Sequence, residues 1–140
     1  NACLYPRGEP VRAPLHLDIV YTDPVLAMVG KSYAQLCRRR DTLGADFVAT
    51  RTLLDGSHYR ARHADGDGLL CLYADKLNGR VLGGELCASG GDHIAQYLAL
   101  VIERGMTLQE LGECGFHHLS CERCLGEAAR EALEMGIGVP

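Results

Sequence analysis

The residues best suited to acid-base chemistry lie in one segment near the end of the chain, Phe116–Glu122, which reads FHHLSCE. His117 precedes Glu122 by five positions, and the hydrophobic pattern that follows predicts that a helix starts between them. An imidazole titrates near neutral pH, and a carboxylate that accepts a hydrogen bond from one ring nitrogen orients the other for proton transfer. The segment therefore predicts a general acid-base histidine with an orienting glutamate.

Two features of this segment leave alternatives open. His118 is adjacent and could serve as the base instead of His117. A histidine in a loop ahead of a helix is also often a solvated surface residue, and an acidic residue such as Glu122 is favourable in the first turn of a helix whatever its function. The case for Glu122 depends on the case for His117.

Three cysteines and one histidine, in this segment and next to it, predict a second kind of chemistry. Cys121 and Cys124 form a CxxC motif at a predicted helix start, where the first thiol becomes more acidic and the pair can cycle between dithiol and disulfide. With Cys114 and His117 they also make a possible Cys3His zinc set, although the ligands are closer in sequence than in usual zinc modules. A small redox or zinc-binding module is thus the alternative function.

The remaining sequence offers no other catalytic signature, neither a phosphate-binding glycine loop after a strand nor a nucleophile elbow. The length of 140 residues, with 47% hydrophobic residues, suits one domain. A net charge of −4 argues against nucleic acid or an anionic membrane as partner, and no apolar run is long enough to span a bilayer. An odd count of 7 cysteines does not suit a disulfide scaffold, so we expect a cytoplasmic protein.

Periodicity and turn residues predict an α+β fold, an antiparallel β-sheet with helices packed against it. Asn78-Gly79 predicts a hairpin with a type I′ turn, and Gly83-Gly84 predicts a bulge or a close backbone approach in its second arm. A helix opened by Gly30 is expected to end near the basic triplet at residues 38–40. The predicted strands are Leu17–Tyr21, Phe47–Leu53, Leu69–Ala74 and Arg80–Cys87, with a short extended piece at residues 59–61.

Three helices are predicted in the last third of the chain. Ile94, Leu98, Val101 and Ile102 line one face of a helix that Gly105 ends. Thr107 and Glu110 form a capping box that starts the next helix. The last helix is predicted from Ser120 to Met135, with an inward face of Leu125, Ala128, Ala129, Ala132 and Leu133.

Five motifs in register resemble one known family. They are Val20-Tyr21-Thr22-Asp23-Pro24, Ala27-Met28-Val29-Gly30, Asn78-Gly79-Arg80-Val81-Leu82-Gly83, the helix start at Thr107–Leu111, and the terminal His117-x4-Glu122. Together they resemble the C-terminal dimerisation domain of the pyridine nucleotide-disulfide oxidoreductases, flavoenzymes that include dihydrolipoamide dehydrogenase, glutathione reductase and mercuric reductase.

The resemblance implies a parent enzyme that uses FAD and NAD(P)H to reduce a disulfide substrate. It implies a homodimer in which His117, held by Glu122, exchanges a proton with a thiol of the partner subunit. The isolated chain, which lacks the cofactor-binding part, is expected to be inactive. Residues 1–16 are interpreted as a leading segment, with Asn1-Ala2 derived from cloning, and residues 17–140 as the dimerisation domain.

One departure from the family pattern lies at the proposed base. The family usually has His-Pro-Thr at this point, with a peptide bond into proline that can be cis, whereas His117 is followed by His118 and Leu119. A cis bond before a residue other than proline costs about 2.5–4 kcal/mol, so we expect the local turn to differ.

Overall fold

The computed structural model describes residues 14–54 and 68–135. The predictions for Asn1-Ala2 and for an extended piece at residues 59–61 lie outside these ranges. The described elements, in chain order, are β1 (Leu17–Val20), β2 (Val25–Gly30), α1 (Tyr33–Leu43), β3 (Phe47–Leu53), β4 (Leu69–Asp75), β5 (Val81–Ala88), α2 (Gly91–Arg104), α3 (Leu108–Glu113) and α4 (Arg123–Glu134).

The five described strands form one antiparallel sheet in the order β1-β2-β5-β4-β3. Helices α2 and α4 pack on one face of it, α2 against β2 and β5 and α4 against β3 and β4. Alternate residues of β4, namely Leu70, Leu72 and Ala74, point to that face and are almost fully buried. The predicted α+β architecture is confirmed.

The segment between β1 and α1 differs from the prediction. Residues Val25–Gly30 form β2, which pairs with both β1 and β5, and Gly30 is its last residue rather than the start of a helix. Helix α1 begins at Tyr33, because the Ser32 hydroxyl accepts a hydrogen bond from the backbone N–H of Gln35 and the Gln35 side chain accepts one from Ser32. The helix prediction was wrong in its start and missed the strand before it.

The hairpin of β4 and β5 is confirmed, but its turn is not type I′. A type I′ turn needs positive φ at both central residues, and among the described residues only glycines, Gly79 included, have positive φ. The Asp75 carboxylate instead accepts hydrogen bonds from the backbone N–H groups of Leu77 and Asn78, which closes a longer turn.

The predicted close approach at Gly83 is confirmed. A Cβ atom built on Gly83 would lie 2.1 Å from the backbone oxygen of Lys31, so no larger residue fits without a backbone shift. The strand register also shifts between Tyr73 and Ala74, opposite this part of β5. The close approach at Gly83 places the chain just after β2 against β5.

The local signals that predicted α2 and α3 are confirmed. Gly105 adopts the left-handed conformation that ends α2, and Ile94, Leu98 and Val101 are buried. Thr107 and Glu110 form the predicted capping box of α3. No helix in the described ranges is long and apolar enough to cross a membrane.

Helix α4 begins at Arg123, after Glu122, and not between His117 and Glu122 as predicted. Its small inward residues, Ala128, Ala129 and Ala132, let it lie close to the sheet. A hydrogen bond of 2.6 Å from the Thr52 hydroxyl of β3 to the Glu131 carboxylate also ties α4 to the sheet.

Replacing Thr52 by valine should destabilise the chain by about 0.5–1.5 kcal/mol, because the hydrogen bond from the buried Thr52 hydroxyl to the exposed Glu131 carboxylate is lost. Thr50 provides a matched control, since it is equally buried two positions away on β3 and its hydroxyl has no hydrogen-bond partner among the described residues. Thr50→Val should be neutral or stabilising. Equal unfolding free energies for the two variants in urea would contradict this assignment.

Candidate acid-base loop before the last helix

The loop between α3 and α4 is anchored by Phe116. Its ring lies 5.8 Å, between centroids, from the ring of Tyr97 on α2, in an edge-to-face arrangement. On the other side it contacts Gly126 of α4, where an added Cβ would come within 3.2 Å of the Phe116 ring. Because Phe116 packs against two helices, it fixes where the next residue, His117, lies on the surface.

His117 and His118 are both exposed at that point. Their ring centroids are 4.6 Å apart. The Nδ1 atom of His117 accepts a hydrogen bond of 3.3 Å from the backbone N–H of Leu119, so in the neutral ring the proton is on Nε2. Among the described residues the one cis peptide bond is Asp23–Pro24, so the bond into His118 is trans.

Glu122 is the N-cap residue of α4 and is partly buried. Burial by itself would raise the pKa of its carboxyl. Hydrogen bonds from its own backbone N–H, from Ser120 and from Cys121 act in the opposite direction, as does the nearby charge of His93, and the pKa of Glu122 ends below its ordinary value of 4.5. Glu122 is therefore an anion at neutral pH, satisfied by donors close to it.

The two members of the predicted pair are thus near each other in sequence but not in contact. No hydrogen bond or ion pair among the described residues joins the His117 imidazole to the Glu122 carboxylate. The roles of His117, His118 and Glu122 remain predictions.

The cysteines of this region have different surroundings. The thiol of Cys114, the C-cap residue of α3, donates a hydrogen bond of 3.3 Å to the backbone oxygen of Glu110 one turn earlier. Cys121 is half-buried and Cys124 is buried in α4. Within residues 14–54 and 68–135, no group of three or more histidine, cysteine or acidic side chains is arranged to hold a metal ion, so the four possible zinc ligands do not form a preformed site.

Two clefts of the described structure lie away from this loop. One of about 680 Å³ is lined by His16, Lys31, Arg80 and Glu103, among others, and another of about 500 Å³ lies on the sheet face opposite the helices. Neither of these two clefts is lined by a residue of the loop.

Sequence reasoning missed the residues that position the loop. Phe116, Tyr97 and Gly126 hold it, while Ser120 and His93 act on Glu122. One signal was available, since a glycine at position 126 inside an amphipathic helix leaves room for a large neighbouring side chain.

These observations define a class of protein: an α+β domain with helices on one face of its sheet and an exposed pair of histidines on a loop that Phe116 anchors. The family described as pyridine nucleotide-disulphide oxidoreductase, dimerisation domain, has a sequence model that matches residues 17–129. The chain belongs to this family, which confirms the predicted resemblance.

The chain matches one part of its longer curated relatives. The chain is 30% identical over 122 residues to dihydrolipoyl dehydrogenase of Bacillus subtilis, covering 87% of this chain and 24% of that protein. It is 29% identical over 133 residues to mitochondrial dihydrolipoyl dehydrogenase of Mus musculus, covering 90% of this chain and 25% of the relative. The chain thus spans about a quarter of the length of these relatives.

Solved structures support the fold. LpdA from Mycobacterium tuberculosis superposes with a TM-score of 0.75 at 21% identity, over 93% of this chain and 28% of that one. The HOCl-induced flavoprotein disulfide reductase RclA from Escherichia coli superposes with a TM-score of 0.74 at 23% identity, over 89% of this chain and 28% of that one.

Replacing Ser120 by alanine should raise the pKa of Glu122, because one of its hydrogen-bond donors is lost. Titration of the carboxyl carbon by NMR measures this directly, and Ser32→Ala, which alters the distant cap of α1, should leave it unchanged.

Because the folded pKa of Glu122 is depressed, its ionised form stabilises the fold above about pH 4.5, and this contribution disappears as the pH falls through the folded pKa. The Ser120→Ala variant should therefore show a smaller loss of stability in that acidic range. An unchanged Glu122 titration in the variant would contradict the assigned contact.

Proposed function

We propose that this chain is the C-terminal dimerisation domain of a flavin-dependent NAD(P)H:disulfide oxidoreductase that resembles dihydrolipoyl dehydrogenase. In this proposal His117 of one subunit serves as the acid-base residue in the active site of the other. The observation that supports it is the exposure of His117 on a loop anchored by Phe116, within the residues that the family model matches. A histidine exposed in this way is available to an active site formed by another chain.

FAD and NAD(P)H are proposed to bind to the rest of the parent. Two glycines of the sheet and of α2 leave no room for a phosphate, because protein atoms lie against them. A Cβ on Gly84 would meet Leu98 at 2.7 Å, and one on Gly91 would meet Leu86 at 2.7 Å. The sequence also lacks the dinucleotide fingerprint. The isolated chain is accordingly proposed to be inactive.

The chemistry assigned to His117 is transfer of a thiol proton. A thiol with a pKa near 8.5 is mostly protonated at neutral pH, and a base that removes its proton makes the reactive thiolate. To accept that proton at Nε2, the ring needs its own proton on Nδ1, which now accepts from Leu119. Glu122 is the nearby anion proposed to take over Nδ1 in the assembled enzyme.

A homodimer inside a larger chain needs two contact surfaces, one for the partner and one for the parent's other domains. The sheet face opposite α2 and α4 exposes apolar side chains, among them Val20, Leu26 and Leu53. The outer side of α2 exposes Tyr97 and Leu100. Exposed apolar surface of this kind is typical of contact sites.

Replacing His117 by alanine in the full-length parent should lower disulfide turnover by about 10²–10⁴, because the acid-base group is lost. Flavin content and stability should stay unchanged, since the side chain is exposed. His118→Ala is the matched control, equally exposed and adjacent. Normal turnover in His117→Ala, or a larger loss in His118→Ala, would reassign the base. Glu122→Gln should give a smaller loss than His117→Ala.

Hybrid dimers test whether His117 acts across the subunit interface. One subunit would carry His117→Ala, and the other would lack the redox cysteines of the parent, so each homodimer is inactive. If His117 serves the partner's site, the hybrid regains one of two active sites and about half of the normal turnover per dimer. A hybrid without activity would show that the histidine acts within its own subunit.

A further inference from the structure

Cys121 and Cys124 bracket the start of α4. The backbone N–H of Cys124 donates a hydrogen bond of 3.3 Å to the backbone oxygen of Cys121, which closes a turn between the two residues. Residues linked by such a turn have Cα atoms less than about 7 Å apart. Disulfides join Cα atoms about 4.4–6.8 Å apart, a range that overlaps the separations such a turn allows.

The two thiols are unequally accessible. Cys121 lies before the N-cap residue, is half-buried against the edge of the core and donates a hydrogen bond to Glu122, whereas Cys124 is 2% exposed and lies within the core with Leu125 and Ala128. Burial strongly raises the pKa of the Cys124 thiol, and the charges of Cys121, Glu127 and Glu122 raise it further. Cys121 is therefore the thiol that a reagent in solution meets first, and Cys124 is reached only from within the chain.

We propose that Cys121 and Cys124 form a reversible dithiol–disulfide couple that reacts with disulfides of small thiols, with Cys121 attacking first and Cys124 resolving the mixed disulfide. This goes beyond the role of His117 and needs no flavin.

The exchange conserves atoms and electrons. The Cys121 thiolate attacks one sulfur of the disulfide RSSR, forms a new bond to it, and displaces RS⁻, which takes up the proton that Cys121 released. Cys124 then loses its proton and attacks the Cys121 sulfur, and the second RS⁻ leaves with that proton. The chain is oxidised by two electrons to the Cys121–Cys124 disulfide, and RSSR is reduced to two RSH.

The chain can be tested with oxidised glutathione followed by acid quenching, alkylation and tryptic digestion without reductant. Trypsin cuts after Arg123, so residues 105–123 carry Cys114 and Cys121 while residues 124–130 carry Cys124. A Cys121–Cys124 disulfide links these two peptides, with a mass two hydrogens below their sum. Cys114→Ser is the control for the other cysteine in the first peptide.

The linked peptides should form in the unmodified chain and in Cys114→Ser, and should be absent in Cys121→Ser. In Cys124→Ser, or in Cys124→Ala if circular dichroism shows that the serine variant does not fold, Cys121 should retain glutathione. Linkage that persists in Cys121→Ser would overturn the proposal. So would glutathione on Cys124 itself, or a Cys121–Cys124 pair that stays reduced while the half-buried Cys87 is modified.

Discussion

Close packing of α4 against the sheet is the constraint on which the geometry of the histidine loop depends. The inward face of this helix combines Leu125 with three small residues, Ala128, Ala129 and Ala132, and packs against β3 and β4. The missing side chain at Gly126 leaves space that the Phe116 ring fills. The loop is therefore anchored by the packing of Phe116. The two exposed histidines do not contribute to that packing.

Local signals predicted the elements whose shape is decided locally. The Thr107 capping box, the Gly105 helix end and the close approach at Gly83 each follow from one or two side chains or their absence. Strand β2 could not be found in this way, because Val25–Gly30 is a nearly continuous apolar run without alternation. Its strand identity comes from pairing on both sides, and that information lies in β1 and β5.

The turn at Asn78-Gly79 shows how one side chain overrides a general preference. Asn-Gly favours a two-residue turn, but Asp75 supplies a carboxylate that satisfies two backbone N–H groups of a longer one. The contacts of the candidate acid-base loop could likewise not be predicted from the loop itself. His93 and Tyr97 reach the loop from α2, and no spacing within the loop itself specifies them.

The proposed proton transfer requires His117 to give up its contact with Leu119, and Glu122 to accept from the ring beside or instead of its present donors. The hydrogen bond from Leu119 to Nδ1 is exposed, and a hydrogen bond of this kind contributes about 0.5–1.5 kcal/mol. A partner subunit that covers the loop would remove water and strengthen an imidazole–carboxylate contact, because attraction between charges grows as the effective dielectric constant falls. The arrangement in the single chain is therefore compatible with a site that is completed when the second subunit binds.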